Sequence, residues 1–378
     1  MNDKEAREIR RRFKPDKTWI NAVHGCYVNE SKKVISTFRE SVQTMVQDES
    51  ERFLALLKKP ISGTIGRSLI NLEFSARQVM ESEEHKLLMA MRACGLENEE
   101  LLAAFYDRVA QTLNIDGGYI ILLVHDTYSV PYRSSDGHAQ HDASDEEFSY
   151  FICSICPVKQ TQPVLSYQLA ENCFNALNNG FAVSAPQLGF MFPAFDNRAA
   201  NIYATLYYTK STADNHPEFT TAVFGIEPPM PAASQKEVFS EILSEALAEE
   251  CRIETVQSVQ EHIGQIMEMH KENHVEEPLA LSKNELGAVL GQCGVSAERV
   301  QAFSDAFDAH FGTDAALPPV NMIDKKKFVI TTPEVTVKVD PERSDMIELR
   351  KIDGLKYILI PADDVVEVNG VKVQFGEK

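Results

Sequence analysis

Long apolar runs are missing from this chain of 378 residues. The longest, such as Tyr119 to Val124, reach about a third of the roughly 20 residues that cross a bilayer, and no apolar signal segment opens the chain. The expected setting is the cytoplasm, with no membrane span. Recognised catalytic signatures are missing too. There is no G-x-S-x-G elbow, G-x-G-x-x-G fingerprint, H-E-x-x-H helix or EF-hand loop. A phosphate loop is suggested only by Ser62-Gly-Thr-Ile-Gly-Arg-Ser68, which has Ile61 where the motif needs glycine and Arg67 where it needs lysine. An ordinary glycine turn is expected there.

Paired cysteines are equally scarce. The seven are Cys26, Cys94, Cys153, Cys156, Cys173, Cys251 and Cys293, an odd number with no export signal, so reduced thiols are expected. Only Cys153 and Cys156 have a metal-like spacing, and no second C-x-x-C or H-x-x-x-H run could complete a zinc site. They lie in Phe148 to Val158, a stretch of strand formers, where an odd separation sends the two sulfurs to opposite faces.

Positive charge is the last deficit. Lys and Arg number 37 against 56 Asp and Glu, a net charge of -19 that repels phosphate backbones. Residues 4 to 17 reverse the sign: Lys4, Arg7, Arg10, Arg11, Arg12, Lys14 and Lys17 against Glu5, Glu8 and Asp16 give +4. This basic terminus either packs on the protein's own acidic surface or docks on an anionic partner, and the first is the favoured reading.

What remains is a globular composition, 44% hydrophobic and 25% charged, on a length that suits two or three domains. The pattern predicts an α+β fold with a central antiparallel sheet flanked by helices and helical hairpins, and a small β-unit at the C-terminus. Four segments are expected. Residues 1–116 form an N-terminal α/β part with a helix over 3–13, a hairpin from Val23 to Val42, a helix over 48–59, a strand from Leu69 to Phe74 and helices over 82–94 and 97–113. Residues 117–231 alternate in a β-rich core with strands Gly118 to Tyr128, Phe148 to Val158, Pro163 to Leu169, Leu188 to Phe195 and Asn201 to Thr209. Residues 232–319 are an acidic helical region; 233–285 holds twelve Glu against four Lys and Arg. Residues 320–378 read as hairpins, with type I′ turns at Asp353-Gly354 and Asn369-Gly370.

A shift of 199 places aligns Cys94-Gly95 with Cys293-Gly294, each parting two helices, so a duplicated hairpin or shared hairpin grammar are both open. A DNA-reading pair of helices is disfavoured, because Glu97-Asn-Glu-Glu would face phosphates.

The candidate catalytic residues are His125 and Asp126, at the end of an apolar strand, and the candidate metal ligands are His138, His141 and Asp142 in the long connection from Ser129 to Glu147. Imidazoles and carboxylates together hold divalent metals or move protons, but adjacent strand residues point to opposite faces. Candidates for gripping an anion or partner are Arg7, Arg10, Arg11, Arg12 and Arg198, the last near His216 and Glu218 in sequence.

His125-Asp-Thr-Tyr-Ser-Val-Pro131, Phe151 to Val158 and Leu188 to Arg198 through Asn201 to Tyr208 resemble the bacterial family built on domain of unknown function 4317, as do Glu8-Ile-Arg-Arg-Arg-Phe-Lys-Pro15 and Gly25-Cys-Tyr-Val-Asn29. The resemblance spans nearly the whole chain and implies a bacterial cytosolic protein, without an activity, cofactor or catalytic residue. A fainter likeness of architecture is to nucleoid-associated proteins. Three readings follow: a non-catalytic binding or interaction protein, with a protein partner preferred to nucleic acid; a metal-assisted hydrolase, nuclease or phosphoesterase-like, on His125 and Asp126 with the His-rich loop; and nucleic-acid association through the N-terminal arginines.

Overall fold

The computed structural model describes residues 1–14, 18–133, 139–140, 146–161, 164–168, 172–177, 180–325, 327–362 and 366–373. The chain divides into two compact units, Met1–Ser234 with Glu276–Pro278, and Gln235–Val275 with Leu279–Lys378.

The first unit is an α+β layer structure around one antiparallel sheet. Its strands are β1 (Ala22–Val28), β2 (Val34–Ser41), β3 (Leu69–Glu73), β4 (Gly118–Val130), β5 (Glu146–Gln160), β6 (Phe181–Val183), β7 (Leu188–Phe192) and β8 (Ala204–Thr209). The order is β2-β1-β4-β5-β7-β8-β3, with β6 also on β5. Thus the early hairpin pairs beside β4 and the isolated β3 closes the far edge beside β8.

The central strands are apolar on both sides because both faces are covered. One face sets Cys26, Leu123, Phe151, Cys153, Phe190 and Tyr207 against helices α4 (Glu83–Ala93), α5 (Glu99–Thr112) and α6 (Pro217–Phe224), which follow α1 (Asp3–Arg10), α2 (Gln47–Lys58) and α3 (Ala76–Glu81) in the chain. The other face sets Leu122, Val124, Ile152, Cys156, Met191 and Leu206 against α1 and α2. Cys153 and Cys156 therefore lie in different cores, as alternation requires, and the seven cysteines are thiols rather than disulfides. Burial pushes the thiols of Cys26 and Cys156 up to about 12 and that of Cys153 well above its ordinary range, so none is a thiolate at neutral pH.

The glycine loop at 62–68 leads into β3 rather than a helix, so it offers no helix N-terminus to a phosphate. The expected strand over Leu188 to Phe195 ends early. Pro193, which has no N–H, separates β7 from the short hairpin Ala194–Asp196 and Ala199–Asn201.

In the second unit, helices α7 (Ala232–Leu247), α8 (Ile253–Glu272), α9 (Lys283–Gln292) and α10 (Ala297–Phe311) enclose Phe239, Leu243, Ile263, Leu290, Phe303 and Phe307. Both helical hairpins turn alike. Gly95 and Gly294 take left-handed φ of 61° and 82°, and Leu96 and Val295 each donate back to a carbonyl of the preceding helix at 3.1 Å. That capping geometry accounts for the repeated Cys-Gly without a duplication. The C-terminal β-unit takes the form of three separate two-stranded hairpins: β9 (Phe328–Thr331) with β10 (Thr336–Val339), β11 (Glu348–Ile352) with β12 (Leu355–Leu359), and β13 (Val366–Val368) with β14 (Val371–Val373). The turns between β11 and β12 and between β13 and β14 have positive φ at both central residues, the type I′ signature.

Candidate functional site

The N-terminal helix is built to dock. Asn2 caps it and Glu5 closes the capping box, while Ala6, Ile9 and Phe13 recur at helical spacing and bury against the sheet. Docking carries Arg12 to the end of β4, where its Nε and Nη2 donate to Asp126 Oδ2 and Oδ1 at 2.9 and 3.0 Å. Tyr150 donates to Asp126 Oδ2 at 2.9 Å, and the Arg12 guanidinium lies 5.2 Å over the Tyr128 ring. Tyr128 in turn donates to Glu8 Oε1 at 2.8 Å, and Glu8 pairs with Arg198 at 3.1 Å. Arg198 also donates to the Pro131 carbonyl at 2.9 Å.

This is a closed network. Asp126 is 3% exposed, so a bidentate partner is what makes its charge tolerable there. Burial alone would lower the pKa of Arg12, but the hydrogen bond and charge of Asp126 outweigh it and raise it. Burial first, then Asp126, pushes Tyr150 well above its usual range; burial, then the bond to Glu8, does the same for Tyr128. The network binds the chain to itself: every polar group named has a protein partner.

His125 points to the opposite face. Its Nε2 lies 2.9 Å from Ser149 Oγ, while Arg92 Nε donates to the Ser149 carbonyl at 2.7 Å and the Gly95 turn sits against the ring. Burial lowers its pKa; the charge of Asp126 opposes that and Arg92 adds to it. His24, buried on the same face, is lowered by burial and then by Arg39. Both imidazoles are neutral at pH 7.

The sequence candidates thus divide. His125 and Asp126 are separated by the sheet itself. His138, His141 and Asp142 lie outside the described residues. Among the described residues no group of three or more His, Cys, Asp or Glu stands ready to hold a metal ion. Arg12 and Arg198 meet carboxylates, Arg10 donates to the Ile61 carbonyl at 3.4 Å, and Arg7 and Arg11 are exposed. Arg198 and His216 occupy opposite ends of the sheet, since Arg198 follows the Phe192 end of β7 and His216 follows the Thr209 end of β8, which pairs with Leu188. The joining of Arg12 to Asp126 across 114 positions has no local sequence signal.

Among the described residues no helix is long and apolar enough to cross a membrane. No curated protein matches the chain significantly. The stretches around His125, Phe151 and Leu188 that build the sheet and its closing network fall inside a match that runs over residues 1–371, and by it the chain belongs to the family described as Domain of unknown function (DUF4317).

Proposed function

We propose that this chain is a non-catalytic interaction protein whose first unit is a closed scaffold and whose C-terminal hairpins are the docking element, with a second copy of the chain as partner. The observation that carries this is the exposure of both faces of those hairpins. On β11 and β12, Ile352, Leu355 and Tyr357 project from one side and Leu349 from the other, all exposed; on the last hairpin Val368, Val371 and Val373 share one exposed side, with Glu367 and Lys372 exposed on the other. A two-stranded hairpin is marginally stable alone in water, and its open edges are templates for another strand. Charge favours the same part. Residues 320–378 contain ten basic and eleven acidic residues, so two anionic copies meet there with least repulsion.

The hydrolase reading needs His125 and Asp126 at one point, and the sheet lies between them. Nucleic-acid association has Arg7 and Arg11 exposed to draw on, against the charge of the whole chain. The setting that suits the reading is the bacterial cytoplasm, supported by cysteines that stand as thiols rather than disulfides. Sedimentation velocity over a wide concentration range tests it. The wild type is expected to self-associate and the double variant Leu355→Lys/Val371→Lys to remain monomeric with unchanged circular dichroism. A wild type that sediments as a monomer throughout overturns the reading.

A further inference from the structure

The two edges of the eight-stranded sheet are finished differently. At the far edge β3 has Leu69, Ile70 and Leu72 buried, and the loop before it folds back on the strand: Gly66 N donates to the Leu69 carbonyl at 2.8 Å and Leu69 N to the Thr64 carbonyl at 3.0 Å. That edge is short and mostly covered. At the other edge β2 has no buried residue, no proline and no glycine over its eight positions. A long bare edge of this kind accepts a further strand.

The ladder fixes which groups of β2 are bare. Val42 N donates to the Asn21 carbonyl at 3.0 Å in continuation of the β1–β2 register, so by alternation Thr37 and Arg39 turn their N–H and C=O away from β1. Among the described residues no hydrogen bond reaches those four groups. The Arg39 guanidinium meets Glu97 at 2.7 Å with both side chains exposed, a surface pair that costs little to exchange.

The last hairpin carries a matching strand. Its type I′ turn at Asn369-Gly370 pairs Val368 inward with Val371, so the main chain of Glu367 faces out of β13 and that of Lys372 out of β14. Glu367 opposite Arg39 sets unlike charges across a strand pair, whereas Lys372 there would set like charges opposite. The neighbourhoods agree. Residues 32–41 hold Lys32, Lys33 and Arg39 against Glu40, giving +2, and residues 363–373 hold Asp363, Asp364 and Glu367 against Lys372, giving -2. Opposite local charges on two parts of one acidic chain favour contact between copies at these two places.

We infer that β13 of one copy adds to the open edge of β2 in a second copy, with Glu367 beside Arg39. The inference rests on the reading of the hairpins as the docking element and names the surface that receives them. Strand addition gives the main chain of both partners the hydrogen bonds their open edges lack, while the flanking Val366 and Val368 fall beside Phe38 and Glu40.

Sedimentation velocity of the full chain tests it with variants on both strands. Arg39→Pro removes an N–H that bonds to nothing within the chain, so the ladder to β1 stays intact, and it is expected to weaken self-association at least about tenfold with unchanged circular dichroism. Arg39→Glu and Glu367→Lys are each expected to weaken it about threefold, and the two together in one chain to return it to within about twofold of wild type. The charge reversal decides the matter if the proline variant loses its fold. A wild type whose association is lost in Leu355→Lys/Val371→Lys yet kept in a folded Arg39→Pro overturns this inference and leaves the hairpin reading standing. A reversed pair that associates no better than its single variants overturns it as well. A wild type that stays monomeric throughout overturns both.

Discussion

Removing the Asp126 carboxylate while keeping Arg12 probes the buried ion pair that ties the N-terminal helix to the sheet. Asp126→Ala leaves a guanidinium whose side chain is 15% exposed without its bidentate partner, and Tyr150 without its acceptor. Breaking a buried pair from one side costs about 3–5 kcal/mol, and the partial exposure of Arg12 puts the expected value near the lower end, about 3 kcal/mol. Replacing both ends with apolar groups of similar volume, Arg12→Met with Asp126→Leu, removes the stranded charge as well as the attraction, so in a Tyr150→Phe background, where no buried hydroxyl loses its acceptor, the double variant is expected within about 1 kcal/mol of that background. The assay is urea unfolding of Asp126→Ala together with a double-mutant cycle of Arg12→Met, Asp126→Leu and their combination, with the transition of the sheet unit fitted separately from that of the helical unit. A single variant costing under about 0.5 kcal/mol, or singles that add to the double, would refute the assignment of Arg12 to a structural role.

Lowering pH should destabilise the first unit in a defined window. His24 and His125 are held below their ordinary 6.5 in the folded chain, so on falling below that value the unfolded state takes up protons first. Stability present above pH 6.5 is lost as pH drops toward the folded values; the melting temperature should fall from pH 7 to 5, and less steeply in His24→Gln/His125→Gln, whereas identical slopes would contradict the burial of both rings. At Gly189 an added Cβ would stand 2.4 Å from the Cys153 carbonyl and 2.7 Å from Pro60, so Gly189→Ala should cost about 1–3 kcal/mol in urea unfolding; an unchanged midpoint would count against the packing of that strand. Thiol titration of the native chain should label no more than the four half-buried cysteines, with Cys26, Cys153 and Cys156 reacting only after denaturation.

Local grammar carried far in this chain. Period-two alternation located β4 and β5, the Asp-Gly and Asn-Gly pairs located the terminal hairpins, and Ser82, Asn98 and Ser282 cap helices that the 3.6 period had already outlined. Short elements escaped: α3, α6, β6 and the strand Cys173–Leu177 each span eight residues or fewer, too few turns or alternations to rise above neighbouring loops. Long-range pairing escaped for a different reason. The strands β1 to β3 enter the sheet beside β4 and β8, and Arg12 reaches Asp126, through contacts at sequence separations that no window of neighbouring residues encodes. The odd separation of His125 and Asp126 did announce opposite faces; what it could not announce was that the N-terminal helix would supply the counter-charge.

The interaction claim is most directly tested by hydrogen exchange of the full chain at low and high protein concentration. Amides of the hairpins over 328–373 are expected to gain protection as concentration rises, while those of β4 and β5 stay unchanged. Exchange in the hairpins that is fast at every concentration, or protected equally at every concentration, would contradict a docking element completed by a second copy.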